Sequence, residues 1–250
     1  MAILNDLPRV EVTIRVNGQT LEEHRDRHLS EAPETISRYI EIQSGQTFEV
    51  HIKTNPGAIR GAGHKYVIDV DGNKVDWGLV EPRHCVGSPK VSISKGTRRK
   101  DGMFRPYKFN LFTTDDEGSK AQTSQTRNLG TIDVCIYQLS TVTKLPETPD
   151  PAARKRSTSS LILPAPLEPL SEKAVKLQEL SHTVGFADAL PVGKKRKHMT
   201  RVVYASGIPI ATYRFYYRSR ESLKNLDIVA RTPPPPMLED MRPIKREDED

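Results

Sequence analysis

Val10, Val12, Ile14 and Val16 alternate with Glu11, Thr13 and Arg15 near the start of the chain. Successive side chains of a strand point to opposite faces, so this period of two predicts a strand with one face in a core and one in water. Asn17-Gly18 follows, and both residues tolerate positive φ, which predicts a tight hairpin turn. The pattern recurs. Ile36, Ile40 and Ile42 make a second apolar set, and Phe48, Val50 and Ile52 a third, with Ser44-Gly45 between them. Tyr66, Ile68 and Val70 make a fourth, and Asp71-Gly72-Asn73 turns it into Val75, Trp77 and Leu79 as a hairpin. Val91 and Ile93, an aromatic segment from Phe104 to Phe112, and Ile132, Val134 and Ile136 continue the series. Short half-polar strands separated by frequent turn residues predict an antiparallel sandwich or barrel. Strands of a doubly wound parallel sheet would be apolar on both faces.

The pattern breaks near Thr141. Residues 141–170 contain Pro146, Pro149, Pro151, Pro164, Pro166 and Pro169 with the basic triplet Arg154-Lys155-Arg156. Proline fixes φ and lacks a donor, so this stretch is read as a disordered proline-rich insertion. Ser171 is placed to cap a short helix to about Leu180, with Ala174, Val175, Leu177 and Leu180 as its apolar stripe. That helix and a basic loop fill residues 171–199. Val202 to Tyr204 is again β-like, and Ala211, Tyr213, Phe215 and Tyr217 alternate with Thr212, Arg214, Tyr216 and Arg218. A lone strand is not stable in water, so this one is expected to join the N-terminal sheet. Glu221 to Val229 reads as a second short helix. The expected architecture is therefore mainly β: one antiparallel sandwich domain over residues 1–231, with the insertion, one or two short helices, and a disordered acidic tail at 232–250.

Composition narrows the class. Of 250 residues, 36% are hydrophobic and 28% charged, which suits one core plus polar segments outside it. No apolar run approaches the roughly 18 residues of a membrane span, and Met1 to Asp6 lacks the pattern of a secretory signal. Cys85 and Cys135 belong to no CxxC pair, so both read as small hydrophobes of a reducing, intracellular compartment.

Five segments carry a resemblance: LPRVEVTIRVNGQTL, RYIEIQSGQTFEVHI, YVIDVDGNKVDWGLV, LGTIDVCIYQ and FYYRSRESLKNLDIVAR. Together they resemble a fungal family known only as a domain of unknown function. The resemblance spans most of residues 1–231. It implies a β-rich domain with variable polar tails and a fungal source, and it supplies no active-site residues, because its motifs are structural.

Residue patterns for catalysis are weak. The glycine-rich stretch Gly57 to His64 lacks the Gly-Lys-Ser/Thr of a phosphate loop, and reads as a loop between strands. His24 and His28 have the i, i+4 spacing of metal ligands, but their surroundings are charged and loop-like. Cys85 adjoins His84, and adjacent residues in extended chain point apart. The acidic run Asp115-Asp116-Glu117 reads as a solvated loop. No catalytic residue, cofactor site or metal site is assigned.

Charge is more informative. Residues 1–140 hold nineteen Lys/Arg against eighteen Asp/Glu, whereas residues 190–231 hold ten against two. Lys194, Lys195, Arg196 and Lys197 follow Pro191 and Gly193 and resemble a nuclear import signal, an exposed basic run for an importer's acidic pockets. Arg214, Tyr216, Arg218 and Arg220 are read as one strand face able to meet phosphates and stack a base, a weak nucleic-acid contact. Ile244, Lys245 and Glu247 match the acceptor pattern for a small ubiquitin-like modifier: an aliphatic residue to dock, a lysine to accept, a glutamate to pair with the enzyme. The expectation is a non-enzymatic interaction or scaffold protein of the nucleus, with the cytoplasm as a second compartment. A nucleic-acid-binding module is the alternative, and an enzyme of unrecognised type the third.

Overall fold

Alternation along most segments reappears as strands with one buried and one outward face; in Lys90–Ser94 it is reversed, with Val91 and Ile93 exposed and Ser94 buried. The computed structural model describes residues 2–4, 7–98, 103–111, 114–115, 128–144, 170–171, 179–192 and 200–231. Within them the strands of five or more residues are β1 (Val10–Val16), β2 (Thr35–Glu41), β3 (Thr47–Thr54), β4 (Gly63–Val70), β5 (Asn73–Val80), β6 (Lys90–Ser94), β7 (Met103–Leu111), β8 (Thr131–Lys144), β9 (His182–Phe186), β10 (Thr200–Tyr204) and β11 (Ala211–Arg218). A short helix, α1 (Arg220–Asn225), follows.

Two sheets result. In the first, β1 pairs with β3 along its length, β7 pairs with the start of β3 and β6 with the rest, and β9 adds to β7. In the second, the order is β2-β11-β8-β4-β5, with β10 on the far half of β8. Pairs among these strands are antiparallel except β2 with β11, which run parallel. Both predicted Asx-Gly hairpins form: Asn17 and Gly18 have φ of 51° and 78°, Asp71 and Gly72 of 51° and 75°. Positive φ at both central residues matches the right-handed twist of the flanking strands.

The two sheets enclose one core. Val10, Val12, Ile14, Phe48, Val50, Ile52, Tyr107 and Phe109 face Ile68, Val70, Ile132, Val134, Ile136, Tyr213, Phe215 and Tyr217. Phe48 stacks on Phe109 at 4.4 Å, and Phe109 meets Tyr217 of the other sheet at 5.3 Å. The Tyr213 hydroxyl donates to the Val10 carbonyl at 3.0 Å, so this buried phenol satisfies its polar tip across the sandwich. The fold is thus a mainly β sandwich.

Several boundaries differ from expectation. β8 runs to Lys144, so Thr141 to Lys144 belong to a strand rather than to the proline-rich insertion; β10 pairs with them from Thr200 to Val203. Ser171, the expected helix cap, lies in a two-residue strand with Leu170 that pairs with Thr114–Asp115. The second helix begins one residue early and ends at Asn225, because Ser219 caps its start by accepting from the Ser222 N–H and Asp227 turns left-handed at φ 54°. β9 was not anticipated. Glu179 and Leu180, the expected end of the first helix, are not helical, and Glu179 turns left-handed at φ 49°. Residues 172–178 of that helix, the remainder of the proline-rich insertion before Leu170, residues 193–199 of the basic loop and the tail at 232–250 lie outside the described residues.

Candidate functional site

The basic strand residues do not share one face. Arg214 and Tyr216 point outward from β11, while Arg218 is 5% exposed and Arg220 sits on α1. Arg214 forms a two-point pair with Asp133, Nε to Oδ1 at 2.9 Å and Nη2 to Oδ2 at 2.7 Å. That partner holds the guanidinium charged and occupies its planar edge. Arg218 Nη1 donates to the carbonyls of Gly130 and Tyr217, both at 2.8 Å. Burial disfavours its charge and pushes its pKa down. Tyr216 stacks on Tyr39 of β2 at 4.9 Å. Of the four, Arg220 is the freest, near Glu41 at 3.7 Å. Alternation alone could not show that the last residue of the strand turns in to close the sheet end.

A different outward cluster is built by a bulge. β4 and β5 shift register between Ile68 and Asp69, which leaves Val75 unopposed. Val75 consequently packs inward, while Trp77, two residues on, stands outward at 43% exposure. Lys65 Nζ lies 5.0 Å from the Trp77 ring centre and 5.1 Å from that of Tyr204, and donates to the Tyr204 hydroxyl at 2.6 Å. Tyr137 meets Tyr204 edge-on at 5.6 Å. Trp77, Lys65, Tyr137 and Tyr204 thus come from four strands, β5, β4, β8 and β10. The cation held between two rings restrains side chains that would otherwise be mobile.

Buried polar groups serve the sandwich. Asp71 turns its carboxylate inward from the β4–β5 hairpin. Oδ1 accepts from the Gly130 N–H at 2.8 Å and the Tyr217 hydroxyl at 2.5 Å; Oδ2 accepts from the Val184 N–H at 3.0 Å and the Thr183 hydroxyl at 3.2 Å. Burial pushes the Asp71 pKa up, while these four donors pull it back. The Tyr217 hydroxyl is raised well above the usual phenol value by burial and by the adjacent carboxylate. Asp76 accepts from the Ser94 hydroxyl, which also meets Tyr107 at 3.1 Å. Burial pushes the Cys135 thiol up to about 11, so it stays protonated at neutral pH.

The glycine-rich stretch lines a pocket. Leu7, Pro8, Arg9, Glu34, Gly57, Ala58, Arg60, His64, Gln138 and Ile210 surround a cavity of about 450 Å³ at one end of the sandwich. Gly57, at φ 76°, leaves the space that Arg9 fills: an added Cβ would lie 2.3 Å from its Nη1. The same nitrogen donates to the Pro56 carbonyl at 2.8 Å. Gly61, at φ 71°, lets the loop lie on β8, where the Ala62 N–H donates to the Leu139 carbonyl at 3.1 Å. His64 is 4% exposed, and its burial lowers the imidazole pKa to about 4. It is therefore neutral at physiological pH. Sequence reading includes His64 at the end of the loop but gives it no role and misses Arg9; nothing in periodicity links residues from five separate segments.

The remaining candidates are structural where described. His24 is in a short strand on β2 and His28 in a loop, so their spacing places them on no helix. His84 Nδ1 accepts from the Glu81 N–H at 3.1 Å in a single-turn 3-10 helix. Among the described residues no group of three or more His, Cys, Asp or Glu could hold a metal. Of the acidic run, Asp115 is in a two-residue strand, and Asp116 and Glu117 lie outside the described residues. Lys194, Lys195, Arg196, Lys197, Ile244, Lys245 and Glu247 also lie outside them. A family model described as a domain of unknown function, DUF7918, matches residues 9–232. No curated protein and no solved structure matches the chain.

Proposed function

The chain belongs to the family of that domain, DUF7918, and we propose that it acts as a nuclear interaction protein, binding a protein partner through the outer face of the second sheet. One observation carries the reading: Trp77 and Tyr204 are 43% and 40% exposed yet fixed by Lys65 and Tyr137 on paired strands. Rigid, half-exposed Trp and Tyr are the residue types that dominate binding energy at protein interfaces, because they bury large area and lose little side-chain entropy. The basic tetrad Lys194 to Lys197 supports the nuclear address, and the Ile244, Lys245 and Glu247 pattern supports modification there.

The test compares wild type with the double variant Trp77→Ala, Tyr204→Ala in affinity purification from nuclear extract. A partner retained in high salt by wild type and lost by the folded variant is the expected result. Equal recovery by both forms removes this face from the reading. Retention on DNA or RNA that weakens steeply with salt and depends on Arg220 would instead favour the nucleic-acid module.

A further inference from the structure

We propose that the pocket framed by Arg9, Arg60 and His64 is a binding site for a small organic carboxylate with an apolar body. The site is independent of the interaction face proposed above. Its volume, about 450 Å³, lies within the roughly 300–1,000 Å³ of small-molecule sites. Its composition also fits such a site, with a few polar groups set among apolar ones. Leu7, Ala58 and Ile210 supply the apolar wall, and Gln138 and His64 supply neutral hydrogen-bonding groups.

Charge selects the ligand's head group. The described lining holds two guanidiniums, Arg9 and Arg60, and one carboxylate, Glu34. Two cations against one anion favour a single negative charge over a dianion, which Glu34 would repel. Guanidinium pairs with carboxylate through parallel N–H bonds, a stronger contact than a neutral hydrogen bond. Arg9 is set for this role: Gly57 leaves it room, and its bond to Pro56 fixes it in place. Such preorganisation lowers the ordering entropy of binding. His64 adds a third feature. Its ring lines the pocket, and burial is the cause of its lowered pKa. A neutral imidazole offers one donor and one acceptor, so it can meet a hydroxyl or carbonyl on the ligand body without adding charge.

Benzoate is the probe, acetate and inorganic phosphate the comparisons, and amide chemical shifts of the full-length protein the readout. Benzoate should shift Ala58, Arg60, Gly61 and His64 saturably, in about the millimolar range, and acetate more weakly for want of a ring. Arg60→Ala should weaken benzoate binding about ten-fold, the worth of one charge-assisted bond. The charge-reversing Arg60→Glu should abolish it, with the shifts of the core strands unchanged as a control on folding. Lys74→Ala, outside the pocket, should bind as wild type does. The proposal is overturned by the absence of saturable shifts, by shifts that Arg60→Glu leaves in place, or by saturation with phosphate but not with benzoate.

Discussion

Tyr217 and Asp71 lie 146 positions apart and meet at 2.5 Å, phenol to carboxylate, inside the sandwich. The bond joins the last strand of the second sheet to the turn of its β4–β5 hairpin. Thr183 and Val184 bring β9 of the first sheet to the same carboxylate. One side chain therefore fastens three regions that are remote in sequence. Every group around it donates, which fits an acceptor-only carboxylate.

Tyr217→Phe should lower stability by about 1–2 kcal/mol, because it removes one donor and leaves Oδ1 with the Gly130 N–H. Asp71→Ala should lower it by about 3 kcal/mol or more, because it strands buried donors, two of them backbone N–H groups. Urea unfolding of both variants measures the order. A larger loss in Tyr217→Phe than in Asp71→Ala would refute this account of the bond.

His64 should make the protein acid-sensitive. Its pKa falls from the ordinary 6.5 to about 4 on folding. Above 6.5 both folded and unfolded forms are neutral, and the residue contributes no pH dependence. Below it the unfolded chain takes up a proton that the folded one resists, so stability drains away as pH falls from 6.5 towards 4. The full loss is about 3 kcal/mol, from the worth of one pKa unit. The measurement is the difference in unfolding free energy between wild type and His64→Gln as a function of pH. A flat difference across that window would show that His64 titrates normally.

Much of the sandwich was legible because one-sided burial writes a period of two into the residues. β1, β3, β4 and β11 follow from it, and Asn17-Gly18 and Asp71-Gly72 mark their turns. What could not be read were relations between segments. Trp77 shares its parity with Val75 but faces outward, since a bulge is a property of the pair of strands. Asp71 reads as a turn residue, and nothing local says that its side chain is buried. Arg218 shares its parity with Arg214 but closes the sheet over Gly130. The pocket is the extreme case, since its lining is assembled from pieces that share no pattern.

A fragment ending at Thr141 should fail to fold. It lacks β11, leaving β2 and the first half of β8 with unpaired edges, and it lacks Thr183, Val184 and Tyr217 for Asp71. Exposed edges of that kind promote aggregation. Size-exclusion chromatography and circular dichroism of this fragment beside residues 1–231 give the comparison. Cooperative unfolding of the fragment at the midpoint of the longer chain would show that the late strand is dispensable.

A fusion of the protein to a large fluorescent tag should concentrate in the nucleus, and changing Lys194, Lys195, Arg196 and Lys197 together to alanine should disperse it. Ratios of nuclear to cytoplasmic fluorescence report the result. Undiminished accumulation of the quadruple variant would move attention to Arg154-Lys155-Arg156.

The parallel pairing of β2 with β11 also sets a timetable. Thr35 to Glu41 leave the ribosome well before their partners, Thr212 to Arg218, which lie 177 positions further on. Until then, among the described residues, β2 is paired only with Glu23–His24 on its other side. Contacts so distant in sequence slow folding, because a long loop must close before they form. The second sheet is therefore completed only once Arg218 has been synthesised, and in the interval β2 carries an unpaired edge for a chaperone to cover.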